Sequence, residues 1–277
     1  MNILTCFFQM LLMLCVPPCV LGAGVWLCRR LFCFFVGDDS GMPLIKLTSF
    51  LSVPLREAGH AMMAVIFLHR IEDMRLLDLR DEDGEFGFVE HSYNPRNPVA
   101  LLGNLFYALG PATIGLFTVL IILLGCFDGV LSPFLDHVRD LGEAGAGFLE
   151  YAGAALSLFT DLFAAGAASV WARVLGCALL ALICFGIHVD PVELLDALVG
   201  IVMLGALLLL AAGVLMLFDD RVITSAMNGL RGFSTAVSAL FLVVLSFSVA
   251  LTLLGALFGV IRTLFNIDHV DAPDDRE

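Results

Sequence analysis

Six apolar runs divide the chain, at about 3–28, 43–69, 98–125, 167–188, 193–217 and 233–265. A membrane-spanning helix needs about 20 predominantly apolar residues. Inside hydrocarbon, its backbone N–H and C=O groups must also find their partners within the helix. Those two constraints predict an all-α polytopic membrane protein with about six transmembrane helices. Composition agrees: 60% of the 277 residues are hydrophobic and only 15% are charged. Soluble domains run nearer half and a quarter. Residues 1–277 therefore read as a single membrane domain.

The pair Pro17-Pro18 predicts a kink in the first run. That run has no basic segment before it, so it reads as a retained helix rather than a signal peptide. Arg29-Arg30 follow it and favour a cytosolic C-terminal end. The net charge of −13, with Lys46 the single lysine, argues against nucleic acid, which requires a basic face. Membrane lipid is the partner that this composition implies. The acidic end, 267–277, reads as a solvated, disordered tail. The eight cysteines form no C-x-x-C pair and read as small buried hydrophobes.

Two segments break the apolar texture. Between the second and third runs, about 72–95, polar residues and a turn signal at Asp81–Gly84 sit between partial alternations (Leu77, Leu79, then Phe86, Phe88). These predict a small β-hairpin, either shaping access to the preceding run or simply connecting two helices. Residues 126–166 mix acids with apolar residues at helical spacing, which suits amphipathic helices at the membrane interface.

The second run carries "PLREAGHAMMAV", with Arg56, Glu57 and His60 in its middle. Charged residues at that depth cost a few kcal/mol each and mark a site. The pattern is one residue away from H-E-x-x-H, in which two histidines four apart on a helix hold zinc and the glutamate acts as general base. Arginine stays protonated and offers no lone pair, so Arg56 is not a metal ligand. Glu57 and His60 remain in register. A second charged stretch, "HVDPVELLDALVG", follows at 188–200.

Together these stretches resemble the site-2-protease family of intramembrane zinc metalloproteases. Its later motif, N-x-x-P-x-x-x-L-D-G, is matched by Pro191, Leu195 and Asp196, with His188 in place of the asparagine and Ala197 in place of the glycine. The β-structured segment after the motif helix, Gly110-Pro111 in the next run, and "GFVEHSYNPRNP" extend the resemblance over roughly residues 45–200. The last of these is similar to a stretch in bacterial relatives, which implies the cytoplasmic membrane of a bacterium. The resemblance implies His60 and Asp196 as zinc ligands and Glu57 as the catalytic base. The lost first histidine leaves two resolutions.

In one, His188 or His91 completes the zinc site, and the chain is an active metalloendopeptidase acting on membrane-embedded substrates. In the other, zinc is absent and Arg56 pairs with Asp196 or Glu57, giving a non-catalytic relative that binds transmembrane segments. A third reading, unrelated to the family, is a transporter or channel whose charges line a pathway.

Overall fold

A computed structural model describes residues 2–37, 41–80, 86–127, 129–164 and 169–265. The expected hairpin turn at Asp81–Gly84 and the acidic tail lie outside the described residues. The chain is mostly helical. Helix α1 (Ile3–Val36) starts where the Asn2 side chain accepts the Thr5 N–H at 2.8 Å, and it continues through Pro17 and Pro18. Helix α2 (Met42–Ile66) has Pro43 in its first turn, where the missing N–H costs nothing. It closes with His69 N–H on Ala64 O while Leu68 adopts φ 62°, the left-handed geometry that ends many helices.

Strands β1 (Arg70–Arg75) and β2 (Phe88–Ser92) form an antiparallel pair running from Arg70↔Ser92 to Arg75↔Phe88, irregular between Ile71 and Asp73. The first arm lies upstream of Leu77 and Leu79, so that alternation does not mark the paired residues. Helices α3 (Pro98–Ala108) and α4 (Gly110–Cys126) meet at a 58° bend. Helices α5 (Leu131–Ala144) and α6 (Phe148–Ala164) occupy the amphipathic stretch. Helix α7 (Val170–Ile183) runs into a 3-10 turn at Cys184–Gly186. Helices α8 (Pro191–Asp196), α9 (Leu198–Leu215) and α10 (Asp220–Leu264) complete the described chain.

Among the described residues, α1, α9 and α10 are each long and apolar enough to cross a membrane, and α3 with α4 makes a fourth if the bent pair is one span. Three to four helices meet that length and apolarity, against the six spans expected. Helix α2 has the length but carries Lys46, Arg56 and Glu57, and α7 has only 14 residues. The fifth run is not continuous either, because the chain breaks at Ala197 into α8 and α9.

The main core joins α1 (Val25, Phe32, Val36), α4 (Val119, Leu123), α7 (Leu180, Ile183) and α10 (Phe241, Val243, Val244), with Phe134 and Leu158 from α5 and α6. Helix α2 packs against α3, α4 and α7. Its crossing with α4 is a backbone-to-backbone approach. A Cβ added at Gly59 would lie 2.6 Å from Gly110 O, and one added at Gly110 would lie 2.6 Å from Gly59 O. Small residues permit such crossings in membrane bundles, where close packing substitutes for the hydrophobic drive available in water. Helix α4 cannot yield to a new methyl group without moving its backbone. Gly59→Ala is therefore expected to destabilise by about 1–3 kcal/mol, read as a lower Tm of the detergent-solubilised protein. Gly205→Ala, which meets open space, leaves Tm unchanged or raises it.

Candidate functional site

The motif helix reaches its neighbours through side chains one turn apart. Glu57 and His60 are each only 1% exposed, an unusual depth for a carboxylate and an imidazole. Arg56 lies between two acids: its Nη1 donates to Glu57 Oε1 at 3.0 Å and its Nη2 to Glu193 Oε1 at 2.7 Å. A guanidinium is suited to this, because its planar fork presents several donors at once. Truncating one partner of a buried ion pair costs more than the pair itself contributes, since a charge is left uncompensated.

His60 is oriented by the break between α3 and α4. A helical carbonyl at position 107 would accept the N–H of residue 111, but that residue is Pro111, which has none. The Tyr107 carbonyl therefore lacks its usual helical donor, and His60 Nδ1 donates to it at 3.0 Å. With Nδ1 donating, the neutral ring keeps its lone pair on Nε2. That atom is buried with no hydrogen-bond partner, 3.6 Å from Glu193 Oε1. The Tyr107 ring lies against His60 at 4.5 Å, and its hydroxyl donates to Val89 O of β2 at 2.8 Å. Tyr107 thereby ties the hairpin to the motif helix. Gly87 presses directly on that helix: a Cβ there would lie 2.7 Å from Val53 and 3.0 Å from Glu57 Cγ.

His188 follows the 3-10 turn, is buried, and donates from Nδ1 to Phe185 O at 2.9 Å. Arg56, Glu57, His60, Tyr107, His188 and Glu193 line one cavity of about 490 Å³, walled also by Phe86–Val89 and by Trp26, Arg29 and Arg30 of α1.

Asp196 does not join them. The carboxylate that Arg56 reaches beyond its own helix is Glu193, and no Arg56–Asp196 pair forms. The reason is local. Pro191–Asp196 folds as its own short helix, with Asp190 accepting the Val192 N–H at 2.8 Å. Glu193 sits in its first turn, whereas Asp196 lies three residues on, about 4.5 Å further along the axis, and is exposed. His91 is in β2 and is not a wall of the cavity. Its ring stacks on His69 at 4.9 Å and meets Tyr107 at 3.9 Å. Burial, and then the neighbouring His69, hold its pKa below the usual histidine value. His137 is exposed, and His269 lies outside the described residues.

Of the zinc ligands that the resemblance implies, His60 and His188 line the cavity, whereas Asp196 and His91 are not among its lining residues. Among the described residues, no three His, Cys, Asp or Glu side chains are grouped to hold a metal ion. Residue patterns alone missed Glu193, Tyr107 and Arg29. Glu193 was within reach, as the acid inside "DPVELLD", but the family register points three residues past it.

Comparison with models of protein families, with curated proteins and with solved structures found no match to this chain.

Removing Glu193 leaves Arg56 with one counter-ion inside the protein. Glu193→Ala is expected to cost about 1–3 kcal/mol, read as a lower Tm. Asp196→Ala is expected to stay within about 0.5 kcal/mol, as is usual for exposed positions. Equal losses for the two would contradict this assignment of partners.

Proposed function

We propose that this chain is an integral membrane protein with a site-2-protease-like site in which a guanidinium–carboxylate cluster takes the place of the metal. It is a non-catalytic relative whose partners are membrane lipid and transmembrane protein segments. With α2, the bent α3–α4 pair and α7 counted beside α1, α9 and α10, it crosses the membrane six times. Its location is the cytoplasmic membrane of a bacterium. The observation that carries the reading is the bonding of Arg56 to both Glu57 and Glu193. A fixed positive charge stands where the motif would put a ligand, and it repels a dication. It also holds Glu57, the residue that would otherwise act as base, in an ion pair.

One observation favours a second reading, an active zinc metalloendopeptidase with a substitute ligand. His60 and His188 each donate Nδ1–H to a backbone carbonyl, the arrangement that fixes metal-binding histidines with Nε2 available. Zinc per chain, measured on detergent-purified protein, separates the two. The main reading expects little zinc in the parent and a gain in Arg56→His, where a second imidazole would lie one turn from His60. Near-stoichiometric zinc in the parent, lost in His188→Ala, would overturn it. Cleavage of a transmembrane peptide that disappears in Glu57→Gln would do the same.

A further inference from the structure

We propose that the α1 side of this cavity binds the phosphate of an anionic phospholipid headgroup. The inference does not depend on whether the site cleaves peptides. It starts from Arg29, which lines the cavity beside Arg56 and Glu57 and feels both electrostatically. Among the described residues, no carboxylate lies within ion-pair distance of Arg29 or Arg30. The same cavity gives Arg56 two carboxylates at bonding distance and has Asp190 on its wall, yet none of these acids forms an ion pair with Arg29. A guanidinium held against a protein cavity without a bonded anion has lost part of its hydration, and a ligand anion offsets that cost.

The surroundings narrow the anion. Arg30 is exposed and its guanidinium sits 5.3 Å over the Trp26 ring. Tryptophan and arginine gather at headgroup depth. Consecutive helical residues point about 100° apart, so Arg29 faces the cavity while Arg30 faces outward at its rim. The guanidinium fork matches phosphate oxygens two at a time. Deeper in, the buried Arg56 Nε–H has no hydrogen-bond partner and can donate to an oxyanion. Outside the rim, Leu27, Leu31 and Phe34 form an exposed apolar stripe on α1, a lane for acyl chains. That stripe favours a lipid over free phosphate. Two arginines with no ion-paired carboxylate among the described residues favour a net-anionic headgroup over a zwitterionic one. Helix α1 is held in place there, because Thr252 Oγ1 of α10 donates to Cys28 O at 2.9 Å, one residue before Arg29.

The test uses the full chain in mild detergent, titrated with short-chain phosphatidylglycerol, phosphatidylcholine or inorganic phosphate. Retained lipid is read by native mass spectrometry and stabilisation by Tm. A ligand that binds only the folded state raises Tm with concentration. The expected result is selective retention of phosphatidylglycerol and a Tm rise with it. Arg29→Gln should weaken binding on the order of tenfold or more, with Arg29→Lys in between. Neither variant is expected to lose the folded, monodisperse state, since each removes or keeps a charge that has no internal partner. Should Arg29→Gln fail to fold, Arg29→Lys and Arg30→Gln carry the same comparison. Parent-like phosphatidylglycerol binding in these variants would overturn the proposal. So would equal binding of phosphatidylcholine. Inorganic phosphate that stabilises as well as the lipid, and displaces it at equal concentration, would overturn the lipid assignment in favour of a free oxyanion.

Discussion

Burying a guanidinium among helices forces the rest of the site into place. Arg56 is mostly withdrawn from water, and its two carboxylates come from positions 137 residues apart in one case and adjacent in the other. The adjacent one, Glu57, is a local consequence of helix geometry. The distant one requires α8 to be brought to α2, and with it the 3-10 turn, His188 and the start of α9. The polar groups of the site are thus coupled: moving α8 would take from the half-buried Arg56 one of its two bonded carboxylates.

Backbone exceptions hold that arrangement together. Gly59 and Gly110 let α2 and α4 cross without side chains between them. Pro111, at the start of α4, brings no N–H to the Tyr107 carbonyl, which accepts from His60. Tyr107 then turns its hydroxyl to β2, so one residue links the motif helix, the broken span and the hairpin. None of these contacts is strong alone. They are directional, however, and against the mainly apolar packing around α2 they set which face of that helix meets which neighbour.

Much of the architecture was legible from hydropathy. The apolar runs correspond to helices, and the polar interruption after the second does contain a two-stranded antiparallel pair. The limits of those elements were less legible. The third run hides a 58° bend and the fifth a break at Ala197, because apolarity reports burial in lipid or protein and carries no information on helix direction. The alternation at Leu77 and Leu79 was equally misleading, since β1 ends at Arg75. In the site, Arg56, Glu57, His60 and His188 are all visible as polar residues in apolar surroundings, and all line the cavity. The motif register points to Asp196 rather than Glu193 because a register counts residues. A six-residue helix at an unknown angle decides which of two acids three positions apart turns inward.

By itself the sequence determined that this chain is mostly helical, with apolar runs of membrane-spanning length and charges in the middle of its second one. It also determined that position 56 offers a metal no ligand, since hydropathy and the protonation of arginine are properties of residues wherever they stand. Only the tertiary structure decided which carboxylate answers Arg56, that His60 is held by a carbonyl to which a proline brings no N–H, and that Arg29 faces the same cavity with no ion-paired carboxylate among the described residues. Those outcomes depend on where separate helices cross. A crossing is set by the combined packing of many side chains and by two glycines meeting face to face, which no single segment encodes.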